Sequence, residues 1–375
     1  MQAGFEKTLV FLVFILLGVL LKAKFKSPSE VNGIKKIILN LALPATIFIA
    51  LLGMEVKTNL LLLPLMALAF NLVLFATMPL LLPLVGILKD TSSYRTAMLL
   101  LPSLAPGLSC FPFVLEFLGE TYLAKAAMAD LGNKVFVLII LYMVAMRWYY
   151  ARNLNANTGS KAKIASLLKT LVTEPVNLFI GFALLLLFLG YSMDSLPFVI
   201  RNSLSKLSFI MTPLVLLFIG LAIRIKRKQF FQIFSLLAIR AGMVFFLVAL
   251  WVSWVRIPLQ EDLLLMLSFG LSACSFWPFA HLSVVEGLET EKETKTFNST
   301  YAIGILALSF PFSTLLILGV LNSGALFTSS SNIWLSSFLL FGIGTLFPML
   351  KIMVRKVKNL RITNPKLEST KPEQA

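Results

Sequence analysis

Ser109–Phe113 reads SCFPF, and Cys274–Phe279 reads CSFWPF. Each stretch sets a proline, Pro112 or Pro278, deep in an apolar run. In a helix interior proline removes a backbone donor and costs about 3 kcal/mol. One such break is common in a membrane helix; two in matched company and far apart ask for a shared cause.

Composition supplies the solvent. Of 375 residues, 58% are apolar and 13% charged, with a mean hydropathy of +0.90. Soluble domains run at about 45–50% apolar and about 25% charged. Polar surface is too scarce to coat a water-soluble globule of this size, so lipid bilayer is the expected partner. Apolar runs of about 20 residues, enough to cross about 30 Å of hydrocarbon, recur along the chain. They place spans at about 6–23, 34–54, 59–86, 96–118, 122–146, 175–192, 198–223, 229–254, 262–284 and 297–321, with an eleventh at 332–352. The run from Thr8 to Leu21 lacks a small-residue cleavage site and its positive charges follow it, so it reads as the first span and not as a signal peptide.

The formal net charge of +16 would suggest nucleic acid in a soluble protein. Here the basic residues fall in short connections between apolar runs, the positive-inside pattern, and no nucleic-acid partner is expected. Lys24, Lys26, Lys35 and Lys36, then Arg147, Arg152, Lys161, Lys163 and Lys169, then RIKRK at 224–228, then Lys351, Arg355, Lys356, Lys358 and Arg361 all share one side if the N-terminus is outside and the spans number eleven. The opposite loops, MEVKTN, SMDSLP and LNSGALFTSSSN, are poor in positive charge. The expected location is a bacterial inner (plasma) membrane with a cytoplasmic C-terminus. Cys110 and Cys274 lie inside apolar segments and read as buried free thiols, with their matched positions leaving close approach open.

The halves repeat. LALPATIFIALLG around Pro44 resembles IMTPLVLLFIGLA around Pro213, 169 residues on, and the surroundings of Pro112 resemble those of Pro278, 166 residues on. Asn71 and Arg240, isolated polar residues in the third and eighth spans, are also 169 apart. A unit of five spans begins and ends on opposite sides, so two consecutive copies are inverted. Many secondary transporters have this architecture, with sites near the midplane where paired helices are interrupted. The expected fold is therefore all-α and polytopic, an inverted five-plus-five repeat with broken crossing helices in spans four and nine. Its expected parts are residues 1–150 (first repeat), 151–173 (a basic linker, lying on the membrane surface or solvated), 174–322 (second repeat) and 323–375 (extra span and basic tail).

LNLALPATIF, ADLGNKVFV, EPVNLFIGFALLLLFLG and MTPLVLLFIGLAI are similar to segments of the auxin efflux carrier family, which includes bacterial malate-permease-like proteins. The resemblance is spread over roughly residues 5–322. It implies a fold related to bile acid–sodium symporters, organic-anion substrates held near the crossing, and a dimer formed through the scaffold side. The chain departs from the pattern at Ala105, where the family usually has an Asn several residues before the crossing proline, so the substrate class is not inherited. The eleventh span is also extra.

Candidate substrate contacts cluster at the two breaks: Pro106, Gly107, Ser109, Cys110 and Pro112 in the first half, Ser275, Trp277 and Pro278 in the second. Ionisable groups at membrane depth are costly unless paired or wet, and so are functional candidates. Asp130 and Lys134 form a structural ion pair along one helix face, or Asp130 with Asn133 serves a coupling cation or proton; counting from the prolines, Asn298 holds the matching place. His281, the single histidine, is either a proton carrier or a packing residue, and Glu116 is a similar candidate. Arg240 either attracts an anion or snorkels to the interface. Phe276, Trp277 and Phe279 either wall a cavity or simply pack.

No Gly-rich phosphate loop and no Cys/His metal spacing occurs, so neither an enzyme nor a resident cofactor is expected; H⁺ or Na⁺ would enter only as a coupling ion. The expected activity is alternating-access transport of small organic anions, with the first three spans of each half as scaffold. The alternative is a membrane sensor or binding protein that keeps the carrier fold.

Overall fold

The computed structural model describes residues 2–25, 27–53, 62–152, 160–222, 229–255, 260–289 and 295–363. The loops at 54–59 and 224–228, used above for orientation, lie outside the described residues. Helices and turns make up the rest, with no strand among the described residues. Among the described residues six stretches are long and apolar enough to cross a membrane: Ser29–Leu52, Leu62–Val85, Glu120–Arg152, Phe198–Ala222, Phe230–Trp254 and Ser299–Asn322. Two shorter apolar helices, Pro175–Phe188 and Ser330–Leu346, accompany them. The chain is a polytopic membrane protein.

The chain begins with α1 (Gln2–Leu21), then α2 (Pro28–Ile37) joined through a π turn at Ile38–Ala42 to α3 (Leu43–Leu52). Next come α4 (Leu62–Leu81), α5 (Ser92–Leu100), α6 (Pro106–Ser109), α7 (Phe111–Leu118) and α8 (Glu120–Val135), the last running through a π turn into α9 (Leu141–Arg152). The second part holds α10 (Ser160–Thr173), α11 (Pro175–Phe188), α12 (Phe198–Phe209), α13 (Met211–Ala222) and α14 (Phe230–Trp254). It ends with α15 (Gln260–Gly270), α16 (Trp277–Leu288), α17 (Ser299–Asn322) and α18 (Ser330–Thr363). Of the expected linker, 151–152 end α9, 153–159 lies outside the described residues and 160–173 is α10. That helix runs almost unbroken into α11, since Glu174 N–H donates to Thr170 O and Leu178 N–H to Glu174 O.

The interruptions fall at 101–105 and 271–276, and their position corrects the sequence reading. Pro112 and Pro278 lie beyond these stretches, each in the first turn of a helix: Pro278 in α16, directly after 271–276, and Pro112 in α7, after the four-residue α6 and the non-helical Cys110 (φ −129, ψ −49). A missing N–H is harmless there, because the first-turn amides have no intrahelical partner anyway. In the first half Pro102 and Pro106 contribute directly. Ala105, just before Pro106, has φ −126 and ψ 62, because proline crowds an α-helical conformation at the preceding residue.

Small residues set the closest approaches, as expected where lipid supplies no hydrophobic drive between helices. Gly18 of α1 and Gly220 of α13 face one another across backbone, and a Cβ on either would overlap a carbonyl of the other helix. Gly132 of α8 lies against the Pro64 carbonyl of α4 in the same way. We expect Gly132→Val to separate these helices and abolish monodisperse protein in size-exclusion chromatography after detergent extraction; a normal elution profile would show that the approach is dispensable. The extra helix α18 packs along α14: Ser337 Oγ donates to Gly242 O at 2.9 Å, and Gly344 lies against Ile239 and the Ser235 carbonyl.

The expected scaffold also needs correction. α1 packs on α13, and α11 and α12 pack on α3, so the first, second, sixth and seventh spans form one group. The third and eighth spans, α4 and α14, belong with the interrupted helices: Arg240 of α14 bonds their carbonyls directly, and Asn71 of α4 reaches them through Asn133 of α8.

Candidate functional site: the meeting of two interrupted helices

Interrupting a helix at membrane depth leaves backbone amides and carbonyls that lipid cannot satisfy, and each must find a partner in protein or a wet cavity. Here the two interruptions serve each other. Ala105 N–H donates to Ala273 O at 2.8 Å. Ala273 N–H donates to Ser109 Oγ at 2.9 Å, and Ser275 N–H to Ser103 Oγ at 3.0 Å. Cys274 N–H donates to Ser309 Oγ of α17 at 3.3 Å. Serine hydroxyls thus stand where helix carbonyls would have been. Each passes its own proton onward, Ser109 to Ala105 O at 2.8 Å and Ser103 to Leu100 O at 2.6 Å.

The freed carbonyls are met by two side chains from neighbouring helices. Asn133 of α8 donates to Leu104 O at 3.1 Å. Arg240 of α14, 2% exposed, donates from Nε to Leu101 O at 2.6 Å and from one terminal nitrogen to Ser272 O at 2.8 Å and Ser103 O at 3.4 Å. Arg240 therefore does not snorkel. Its guanidinium caps the C-terminal ends of α5 and α15, where aligned peptide dipoles place negative partial charge. Among the described residues no carboxylate pairs with it.

Asn133 opens a second polar chain. Its amide also donates to Asp130 Oδ1 at 2.8 Å, and its oxygen accepts from Asn71 Nδ2 of α4 at 2.9 Å. The Asn71 side-chain oxygen is buried and has no hydrogen-bond partner among the described residues. Lys134 lies 3.5 Å from Asp130 and 3.2 Å from Glu174, and donates to Asn177 Oδ1 at 2.8 Å. Two carboxylates thus share one ammonium, one polar link from an interrupted backbone. The Asp130–Lys134 pair expected from the sequence is present; Glu174 and Asn177, which join it from the start of α11, were not expected.

The remaining candidates separate by place. Pro106, Ser109, Cys110, Pro112, Ser275 and Pro278 are buried at the meeting of the two segments, and both cysteines are free thiols. Gly107 is half-buried against Leu43. Trp277 is half-buried, and its backbone N–H donates to Ser275 Oγ at 3.3 Å. Phe276, 53% exposed, carries Lys35 Nζ of α2 4.8 Å above its ring. That lysine was read from the sequence only as a loop charge.

Three ion-coupling candidates lie elsewhere. Glu116 is exposed, and its backbone carbonyl accepts from Lys7 Nζ at 2.6 Å. His281 is buried, with Nε2 2.8 Å from Val137 O at the α8–α9 π turn and its ring edge-on to Tyr142. Asn298 caps the N-terminus of α17, accepting from Tyr301 N–H at 3.0 Å and donating to Ser93 Oγ at 3.2 Å. At 1.5 Å per residue that cap is about 16 Å along the helix from Ser309, the α17 residue that reaches the interrupted segment. Asn298 instead lines an open pocket of about 450 Å³ with Asp90, Arg95, Arg152, Glu286 and Lys295. There the Glu286 carboxylate bonds Lys295 and pushes its ammonium above the usual lysine range. At the other end of the molecule Lys125 pairs with Asp262 at 2.5 Å.

No family model matches the chain. An uncharacterized transporter of Methanocaldococcus jannaschii is 26% identical over 132 residues, covering 35% of this chain and 39% of that protein's length. The likeness is partial, and that relative's printed name gives no substrate.

Proposed function

We propose that the chain is a secondary transporter that moves small organic anions across a membrane by alternating access, with the meeting of 101–110 and 271–278 as its site. The observation that carries this reading is the sorting of helix ends. The C-terminal ends of α5 and α15 converge on buried Arg240, while α16 begins on the far side of the second break and α7, after the short α6 and Cys110, beyond the first. Helix N-termini favour anions, and interrupted helices of this kind hold substrates in many carriers. Lys35 above Phe276 adds a cation beside an aromatic wall of Phe276, Trp277 and Phe279, a combination suited to a carboxylate with an apolar body. The partial likeness to a transporter agrees with this, as do the segments resembling auxin efflux carriers.

In this reading the halves are inverted five-span repeats, the N-terminus faces outward, and the inner membrane of a bacterium is the location. Asp130, Asn133 and Asn71 form the coupling site for H⁺ or Na⁺. The support is two carboxylates sharing one ammonium, together with an unpartnered Asn71 oxygen beside them.

A second reading, a sensor that binds without turnover, has one observation in its favour: α18 clasps α14, the helix carrying Arg240, along Gly242 and Gly344. Uptake of labelled mono- and dicarboxylates into proteoliposomes under imposed Na⁺ or pH gradients tests the proposal. We expect gradient-driven uptake in the wild type and its loss in Asp130→Asn. Uptake indifferent to both gradients and to the substitution would make the protein a facilitator and leave Asp130 structural.

A further inference from the structure

We propose that Arg240 is a resident cation: its guanidinium occupies the carbonyl cluster in which a carrier with interrupted helices would otherwise bind a dissociable metal ion. Unwound backbone carbonyls and half-helix C-terminal ends are the ligands that membrane carriers offer to Na⁺. In this chain Leu101 O, Ser103 O and Ser272 O, drawn from both interruptions, converge on the Arg240 side chain. The ends of α5 and α15 add their dipoles to the same point.

A buried cation at membrane depth is costly unless its surroundings are arranged for it. Arg240 is 2% exposed, and among the described residues its hydrogen-bond acceptors are all backbone carbonyls. An arginine held by an acid would be an ion pair, exchangeable for a well-packed apolar group. An arginine held only by carbonyls released from helices is the counter-charge those carbonyls require. It fixes the two interruptions to each other as a bound ion would, but it cannot leave during a transport cycle. Any coupling ion is then confined to the Asp130 cluster, on the other side of the first interruption. This last consequence rests on the carrier reading; occupancy of the carbonyl cluster does not.

The test is thermal unfolding of the purified full chain in detergent, in N-methylglucamine buffer with or without low-millimolar guanidinium or methylguanidinium, which needs no transported substrate. We expect Arg240→Ala to lower Tm by about 5–10 °C and guanidinium to restore most of that loss saturably. Wild type and Lys134→Met should show no such rise. An unchanged Tm in Arg240→Ala, a loss that neither guanidinium ion repairs, or an equal rise in wild type would each overturn the proposal. Should Arg240→Ala yield no folded protein, Arg240→Lys and Arg240→Met decide. A cation site predicts a clearly higher Tm for Lys, whose ammonium offers three donors, whereas equal values for the two would overturn it.

Discussion

Lys134→Met is expected to destabilise the protein by about 3–5 kcal/mol, the usual result of removing one partner from a buried ionic group. Lys134 and Asp130 have side chains only 9% and 8% exposed, and Glu174 24%. The ammonium lies between the two carboxylates and also holds Asn177. Without it, like charges face each other in a medium that screens them poorly. Thermal unfolding in detergent reads the effect. Adding Asp130→Asn to Lys134→Met should recover part of the loss, because one of the two stranded charges is gone. A loss below about 1 kcal/mol would match a solvated pair and contradict the burial of this cluster.

Asn133→Leu should have the second-largest effect, and on function as well as stability. One side chain serves Leu104 O, Asp130 and Asn71. Its removal leaves a backbone carbonyl of the first interruption and the Asn71 amide without partners, at about 1–3 kcal/mol for each stranded group. It also disconnects the ionic cluster from the interrupted backbone. The expected result is a lowered Tm together with complete loss of uptake. Asn177→Leu, at the outer end of the same chain of contacts, should cost less stability and spare uptake. If both variants lose uptake equally, Asn133 has no special place between the ion cluster and the crossing.

The helical, membrane-embedded character of the chain was legible in the sequence, because apolar run length is a local signal; the prolines marked only the neighbourhood of the interruptions, which fall before Pro112 and Pro278 and not at them. The partners of the interruptions were not legible. Ser309 looks like any serine in an apolar helix, and only the approach of α17 to Cys274 gives it a role. Glu174 sits at a Pro-marked helix start, where an acid is ordinary; Lys134 reaches it across 40 residues of sequence. Counting from the prolines sets Asn298 opposite Asn133 only if the spacing is equal in both halves; in the structure the residue caps α17. Arg240 offered the one usable hint. Its spacing from Asn71 matched that between the halves, and both residues reach the interrupted region, Arg240 directly and Asn71 through Asn133. Its side chain could still have been drawn to the interface as well as inward, because snorkelling depends on what neighbouring helices offer.

The most direct test of the carrier reading is counterflow: proteoliposomes preloaded with an unlabelled carboxylate at high concentration and diluted into a trace of the same labelled anion, without any ion gradient. We expect a transient accumulation of label above equilibrium, saturable in the external anion and absent in Asn133→Leu. Binding of the anion to the purified protein with no counterflow would rule out a carrier and make the protein a sensor, and equilibration without overshoot would make it a passive channel.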